Sequence, residues 1–102
     1  MNIEEIGKEY LAMKPLNQRV RFRDGLLSIQ ASSFHYCHPK HDHGPYTCVE
    51  VAYMVNGAFE KIPELGDEEF DSVYGYVEIS DVISLLISEK YCKDEILKML
   101  PR

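Results

Sequence analysis

Apolar residues recur at spacings of three and four in the first segment: Ile3, Ile6, Tyr10 and Met13, with Glu4, Glu5, Lys8 and Glu9 falling between them. That period predicts an amphipathic helix over Ile3 to Met13. Asn2 is placed to act as its N-cap, two acids fill the first turn, and Pro15 stops it. The period then changes to two. Arg19-Val20-Arg21-Phe22-Arg23 alternates strictly, and Asp24-Gly25 separates it from a second run, Leu26 to Ser33. An Asp-Gly pair between strand-like runs predicts a two-residue hairpin loop, because both central residues of a type I′ turn take positive φ. That register would pair Phe22 with Leu27 and Val20 with Ile29 on a core face. Arg21 opposite Ser28 and Arg19 opposite Gln30 would leave the other face basic and wet.

Phe34 to Tyr46, with Pro39, Gly44 and Pro45, reads as a loop. A second hairpin follows: Thr47 to Val55, a turn at Asn56-Gly57, then Ala58 to Ile62. Val49, Val51, Tyr53 and Val55 share one side of its first strand, while Ala52 and Met54 share the other with Glu50, the pattern of a central strand buried on both faces. Pro63 to Asp71 is an acidic connection, and Val73 to Ile79 a fifth strand. Ser80 is expected to cap a helix reaching Lys90 with Val82, Ile83, Leu86 and Ile87 inward, and Asp94 to cap a short last helix. Hairpins in succession exclude a parallel βαβ sheet. The reading is a single α+β domain over residues 1–102: an antiparallel sheet of four to five strands with N-terminal and C-terminal helices packed on one face. The expected core is Val20, Phe22, Leu27, Ile29, Val51, Ile83, Leu86 and Ile87.

Composition narrows the function classes. The chain has 102 residues, of which 45% are hydrophobic and 27% charged, so it is neither disordered nor long enough for two ordinary domains. No run approaches the roughly 18 apolar residues of a membrane span, and the first residues are no signal peptide. Three cysteines cannot all pair in one chain, which makes a reduced, cytoplasmic protein the default expectation. Charge is uneven. Up to Pro45 there are six basic and five acidic residues; from Tyr46 onward there are five basic and twelve acidic, within a total of −6. That balance argues against direct nucleic-acid or anionic-membrane binding, which needs clustered Lys and Arg.

The densest chemistry lies between His35 and Cys48, where all four histidines and two of the three cysteines fall. His and Cys are the usual zinc ligands, and His35, Cys37, His41 and His43 are the residues that would hold an ion in this loop. None of the established spacings is present, however: there is no Cys-x-x-Cys pair and no second pair downstream. The plainer reading is a solvated polar loop whose cysteines pack as small hydrophobes, with no cofactor. A thiol nucleophile at Cys37 with His35 or His38 as base is a further alternative, but it has no orienting Asn or Asp. Elsewhere, Arg19, Arg21 and Arg23 form a basic stripe, and Glu60 to Asp71 carries six carboxylates. Of these, Glu64, Asp67, Glu68, Glu69 and Asp71 lie on an irregular, exposed connection and, with the arginines, are the candidate partner-binding residues.

Leu27-Ser28-Ile29-Gln30-Ala31-Ser32, His35-Tyr36-Cys37-x-Pro39, Gly44-Pro45-Tyr46-Thr47-x-Val49-Glu50-Val51 and Val73-Tyr74-Gly75-Tyr76-Val77 together resemble small accessory proteins of phages and prophages. The shared pattern includes His35, Cys37 and Pro39 but not His38, His41 or His43. The resemblance implies a host-defence inhibitor of the anti-CRISPR type, acting in the host cytoplasm by covering a partner's surface. The expectation is therefore a non-enzymatic binding protein whose acids engage a basic surface on a nucleic-acid-binding complex. The alternatives are a small metal-dependent or cysteine enzyme centred on His35 and Cys37, and a homo-oligomeric structural protein such as a homodimer.

Overall fold

The structure is a computed structural model that describes residues 2–12, 19–66 and 73–100, excepting the side chains of residues 9–12 and 19. Helix α1 (Ile3–Ala12) precedes strands β1 (Arg19–Phe22), β2 (Gly25–Gln30), β3 (Cys48–Val55) and β4 (Ala58–Glu60). A 3₁₀ turn (Pro63–Leu65), β5 (Tyr74–Glu78), α2 (Ile79–Ser88) and α3 (Lys93–Met99) complete the order. All pairings are antiparallel, and the fold is α+β as the hairpin pattern implies. Strand β3 is the hub. It pairs with β2 along one edge, and its other edge is shared by β5 near Cys48 and β4 near Val55.

Asn2 caps α1 as expected: its Oδ1 accepts the Glu5 backbone N–H at 2.8 Å. Ile6 is fully buried, whereas Ile3 is 39% exposed, and Met13 lies outside the described residues. The Asn56-Gly57 turn also forms as predicted. Val55 faces Ala58, and both turn residues take positive φ, 51° and 79°.

The first hairpin differs from its prediction. Phe22 pairs with Gly25 and Val20 with Leu27, so the turn residues are Arg23 and Asp24. Arg23 adopts φ 51°, while Gly25 belongs to β2. The reason is steric. A Cβ on residue 25 would stand 1.9 Å from the Met54 carbonyl oxygen. The glycine is thus used for close strand approach rather than for turn dihedrals. The relative register shifts by two residues, so facing is preserved: Phe22, Leu27 and Ile29 are fully buried. Arg21 now sits opposite Leu26 and Arg19 opposite Ser28. The other face is accordingly not the uniformly basic one expected, because Leu26 and Phe59 stand exposed on it.

Helix boundaries differ too. Ile79, not Ser80, opens α2: its N–H donates to the Thr47 carbonyl at 3.0 Å, Glu78 stands at the N-cap, and no side-chain cap hydrogen bond forms there. The helix ends at Ser88, after which Lys90 takes a left-handed φ of 65°. Cys92, not Asp94, precedes α3, and its N–H donates to the Glu95 carboxylate at 3.2 Å. Val82, Ile83, Leu86, Ile96 and Leu100 join Ile6, Phe22, Leu27, Ile29, Val49 and Val51 in one buried cluster, against which Val20 and Ile87 are partly buried. No described helix is long and apolar enough to cross a membrane.

Candidate functional site

The segment between β2 and β3 is pinned by its own side chains. Ala31, Cys37 and Tyr46 are buried, and Tyr46 Oη donates to the His41 carbonyl at 2.8 Å. Asp42 accepts both the backbone N–H and the hydroxyl of Ser33, at 2.9 and 2.7 Å, which hold its carboxyl below the ordinary range. Glu50 on β3 accepts the Tyr36 N–H at 2.9 Å, and the Tyr36 carbonyl accepts the Tyr76 N–H at 2.9 Å. His38 bridges Cys48 through backbone hydrogen bonds.

These bonds disperse the His/Cys cluster. The Cys37 thiol lies 3.2 Å from the Ser32 carbonyl oxygen and 3.4 Å from that of Pro39, enclosed by backbone. His35 Nδ1 is 2.6 Å from Ser32 Oγ, not paired to the thiol. His41 and His43 stack on each other with ring centroids 6.3 Å apart. Among the described residues no group of three His, Cys, Asp or Glu side chains converges as metal ligands would. Burial pushes the half-buried Cys48 thiol up from its ordinary value. Thiolate chemistry at neutral pH is thereby suppressed at Cys48, while Cys37 is shut away from solvent.

The basic stripe is also broken up. Arg23 sits in the β1–β2 turn and ion-pairs with Glu64 of the 3₁₀ turn and Glu89 at the end of α2. Its guanidinium lies 4.8 Å from the Phe22 ring centroid. These carboxylates hold the Arg23 charge firmly, and Arg23 in turn holds the Glu64 carboxyl below its ordinary value. Two residues singled out for partner binding, Arg23 and Glu64, are therefore each other's partners. Arg21 is exposed on β1. Asp67, Glu68, Glu69 and Asp71 lie outside the described residues.

Beside this clamp is an open cleft of about 250 Å³ lined by Glu64, Leu65, Tyr74, Gly75, Tyr76, Val77, Glu78 and Asp81. A bulge builds it. Val49 pairs with Val77 and Val51 with Tyr74, so β5 carries one extra residue around Gly75-Tyr76, and Tyr76 takes φ 53°. The bulge buries Tyr74, whose hydroxyl accepts the Ile62 N–H at 2.8 Å, and leaves Tyr76 47% exposed. Glu78 and Asp81 flank the β5–α2 junction. They were not singled out from the sequence; two acids three residues apart at a strand–helix boundary were the only local signal. A smaller cleft of about 170 Å³ continues along Asp81, Ser84 and Ser88. The lining carries the acids Glu64, Glu78 and Asp81, a surface that attracts Lys and Arg side chains, while the Tyr76 ring lies 6.2 Å from that of Tyr36. No family model, curated protein or solved structure matches the chain at a significant level.

Proposed function

We propose that this chain is a non-enzymatic protein-binding module that covers a basic surface on a macromolecular partner. The carrying observation is the open cleft whose lining brings Glu78 and Asp81 beside the Arg23-bound Glu64. Carboxylates on a solvated wall steer a cationic partner and make its association fast and salt-sensitive. The acidic stretch from Glu60 to Asp71 extends the same charge along the sequence. A phage-type inhibitor of a host defence complex, engaging the basic groove where that complex holds nucleic acid, is the biological setting we assign to it. The environment of Cys37 counts against the enzyme alternative, since a buried thiol directed at backbone carbonyls has no path to a substrate.

The test is capture from host lysate on immobilised chain. Wild type is compared with Glu78→Gln/Asp81→Asn, with Asp67→Asn/Glu68→Gln/Glu69→Gln/Asp71→Asn, and with Cys37→Ala. The proposal expects a nucleic-acid-binding protein on wild type and Cys37→Ala, released by salt and lost from the neutralised chains. Capture that survives neutralisation, or a catalytic activity abolished by Cys37→Ala in a folded variant, overturns it.

A further inference from the structure

Alternation along β2 and β3 sorts their side chains onto two faces. Leu27, Ile29, Val49 and Val51 turn into the core, so Ser28, Gln30, Glu50, Ala52 and Met54 fall on the opposite side. Register sets Ser28 beside Ala52 and Gln30 beside Glu50, with Met54 and its β4 partner Phe59 further along. These side chains line a groove of about 180 Å³, and His35 and Val73 line it too. Its polarity is graded. One end is apolar, where Met54 pairs with the exposed Phe59. The middle is small, Ser28 with Ala52. The far end carries Gln30 and Glu50.

Two polar groups of this groove have no use inside the chain. Ser28 is only 8% exposed, and its hydroxyl has no hydrogen-bond partner among the described residues. Taking a hydroxyl out of water without giving it a partner costs stability, so a buried one with no structural bond calls for another reason. The Glu50 carboxylate is held in position, because its Oε2 accepts the Tyr36 N–H at 2.9 Å. It has no ion-pair partner among the described residues, and Arg19 lies two strands away, across β2.

We infer that this groove is a binding site for a small primary amine with an aromatic body. Glu50, Gln30 and Ser28 offer a carboxylate, an amide oxygen and a hydroxyl from adjacent positions of the sheet. Their Cβ atoms stand about 5 Å apart directly across the strands and about 7–8 Å on the diagonal. A primary ammonium has three N–H donors and no acceptor, so three acceptors around one point satisfy it. The bond to the carboxylate is charge-assisted, and the same carboxylate repels a small anion. At the other end, the Met54 thioether and the Phe59 ring are favourable neighbours for an aromatic group. Size limits the ligand. The groove holds about 180 Å³, less than the roughly 300 Å³ of the smallest drug-sized pockets, which suits one ring on a short chain. None of these residues lines the acidic cleft at Glu78 and Asp81, so the amine site is independent of the macromolecular partner.

Titration of the whole isotope-labelled chain with phenethylamine tests this by amide chemical shifts, with circular dichroism confirming that each variant is folded. Saturable shifts at Ser28, Gln30, Glu50 and Ala52 are expected, with a Kd of about a millimolar or tighter. Hydrocinnamate, which has the same ring but a carboxylate head, is expected not to bind. Glu50→Gln keeps an acceptor for the Tyr36 N–H while removing the charge, and should weaken phenethylamine about tenfold. Ser28→Ala should weaken it about fivefold. Because no structural bond is lost, the melting temperature of free Ser28→Ala should stay within about 4 °C of wild type or rise. A larger fall would make the hydroxyl structural and overturns the proposal. Failure to saturate by about 10 mM, binding of hydrocinnamate as tight as that of phenethylamine, or indifference to Glu50→Gln overturns it as well. Tighter binding of N-acetyl-lysine methylamide than of phenethylamine does so too, by assigning the groove to a protein side chain.

Discussion

The carbonyl oxygen of Met54 occupies the space a side chain on Gly25 would need, 1.9 Å from where its Cβ would be. The obstacle is backbone, so it cannot rotate away, and β2 and β3 close only over a glycine. Gly25→Ala is therefore expected to destabilise the fold by about 3 kcal/mol, at the upper end of overpacking costs. Gly57 offers the control. It has φ +79° and nothing within 4 Å of its missing Cβ, so Gly57→Ala meets only backbone strain and should cost about 1 kcal/mol. Urea unfolding of the two variants checks the ordering; equal losses would contradict the close-approach argument.

The buried Ile62 N–H depends on the Tyr74 hydroxyl, 2.8 Å away. Tyr74→Phe keeps the ring and leaves that donor unsatisfied, so a loss of about 2 kcal/mol is expected. Tyr53 Oη accepts the Asp24 N–H at 3.2 Å in a less buried setting, and Tyr53→Phe should cost less than half as much. Thermal melts of the pair give the comparison.

Acid lability should trace to the Arg23 clamp. Arg23 holds the Glu64 carboxyl below its ordinary 4.5 in the folded state. A depressed folded-state pKa gives stabilisation that is full above the unfolded value and lost as pH falls through the lower, folded one. The melting temperature of wild type should therefore fall more steeply below pH 4.5 than that of Glu64→Gln. Near neutrality the variant should lose only about 0.5–1 kcal/mol, since the Glu64 side chain is 47% exposed and solvent screens the pair. Parallel pH–stability curves for the two proteins would contradict this assignment.

The three thiols should react in order of exposure. Cys92 is exposed, Cys48 half-buried with its pKa raised by burial, and Cys37 buried. A disulfide reagent at neutral pH is expected to label Cys92 first and Cys48 slowly, and Cys37 only on unfolding. Mass spectrometry of timed samples reads this directly. Early modification of Cys37 would reopen the cysteine-enzyme alternative.

How legible the molecule was depended on whether the cause of each feature was local. Asn56-Gly57 and Asn2 were readable because a turn's φ angles and an N-cap's hydrogen bond are set within four residues. The core of β2, β3 and α2 was readable from period alone. Gly25 was misread because its role depends on Met54, a residue of another strand. Ser80 was misread because the α2 amide is satisfied by the distant Thr47 carbonyl. The site divided the same way. The acidic segment was visible as composition, but the cleft at Glu78 and Asp81 is lined by the Gly75-Tyr76 bulge, whose register depends on pairing with β3 and not on local spacing. Arg23 looked like one of three equivalent arginines until tertiary structure set it between Glu64 and Glu89.

The most direct measurement of the central claim is a titration of isotope-labelled chain with a hexa-arginine peptide, followed by amide chemical shifts. The account predicts saturable shifts concentrated at Gly75, Tyr76, Glu78 and Asp81 and through the acidic stretch from Glu60 to Asp71. They should weaken as salt rises and be lost from the cleft in Glu78→Gln/Asp81→Asn. Shifts spread evenly over the surface, or centred on the His35 to Cys48 loop and indifferent to neutralisation, would contradict it.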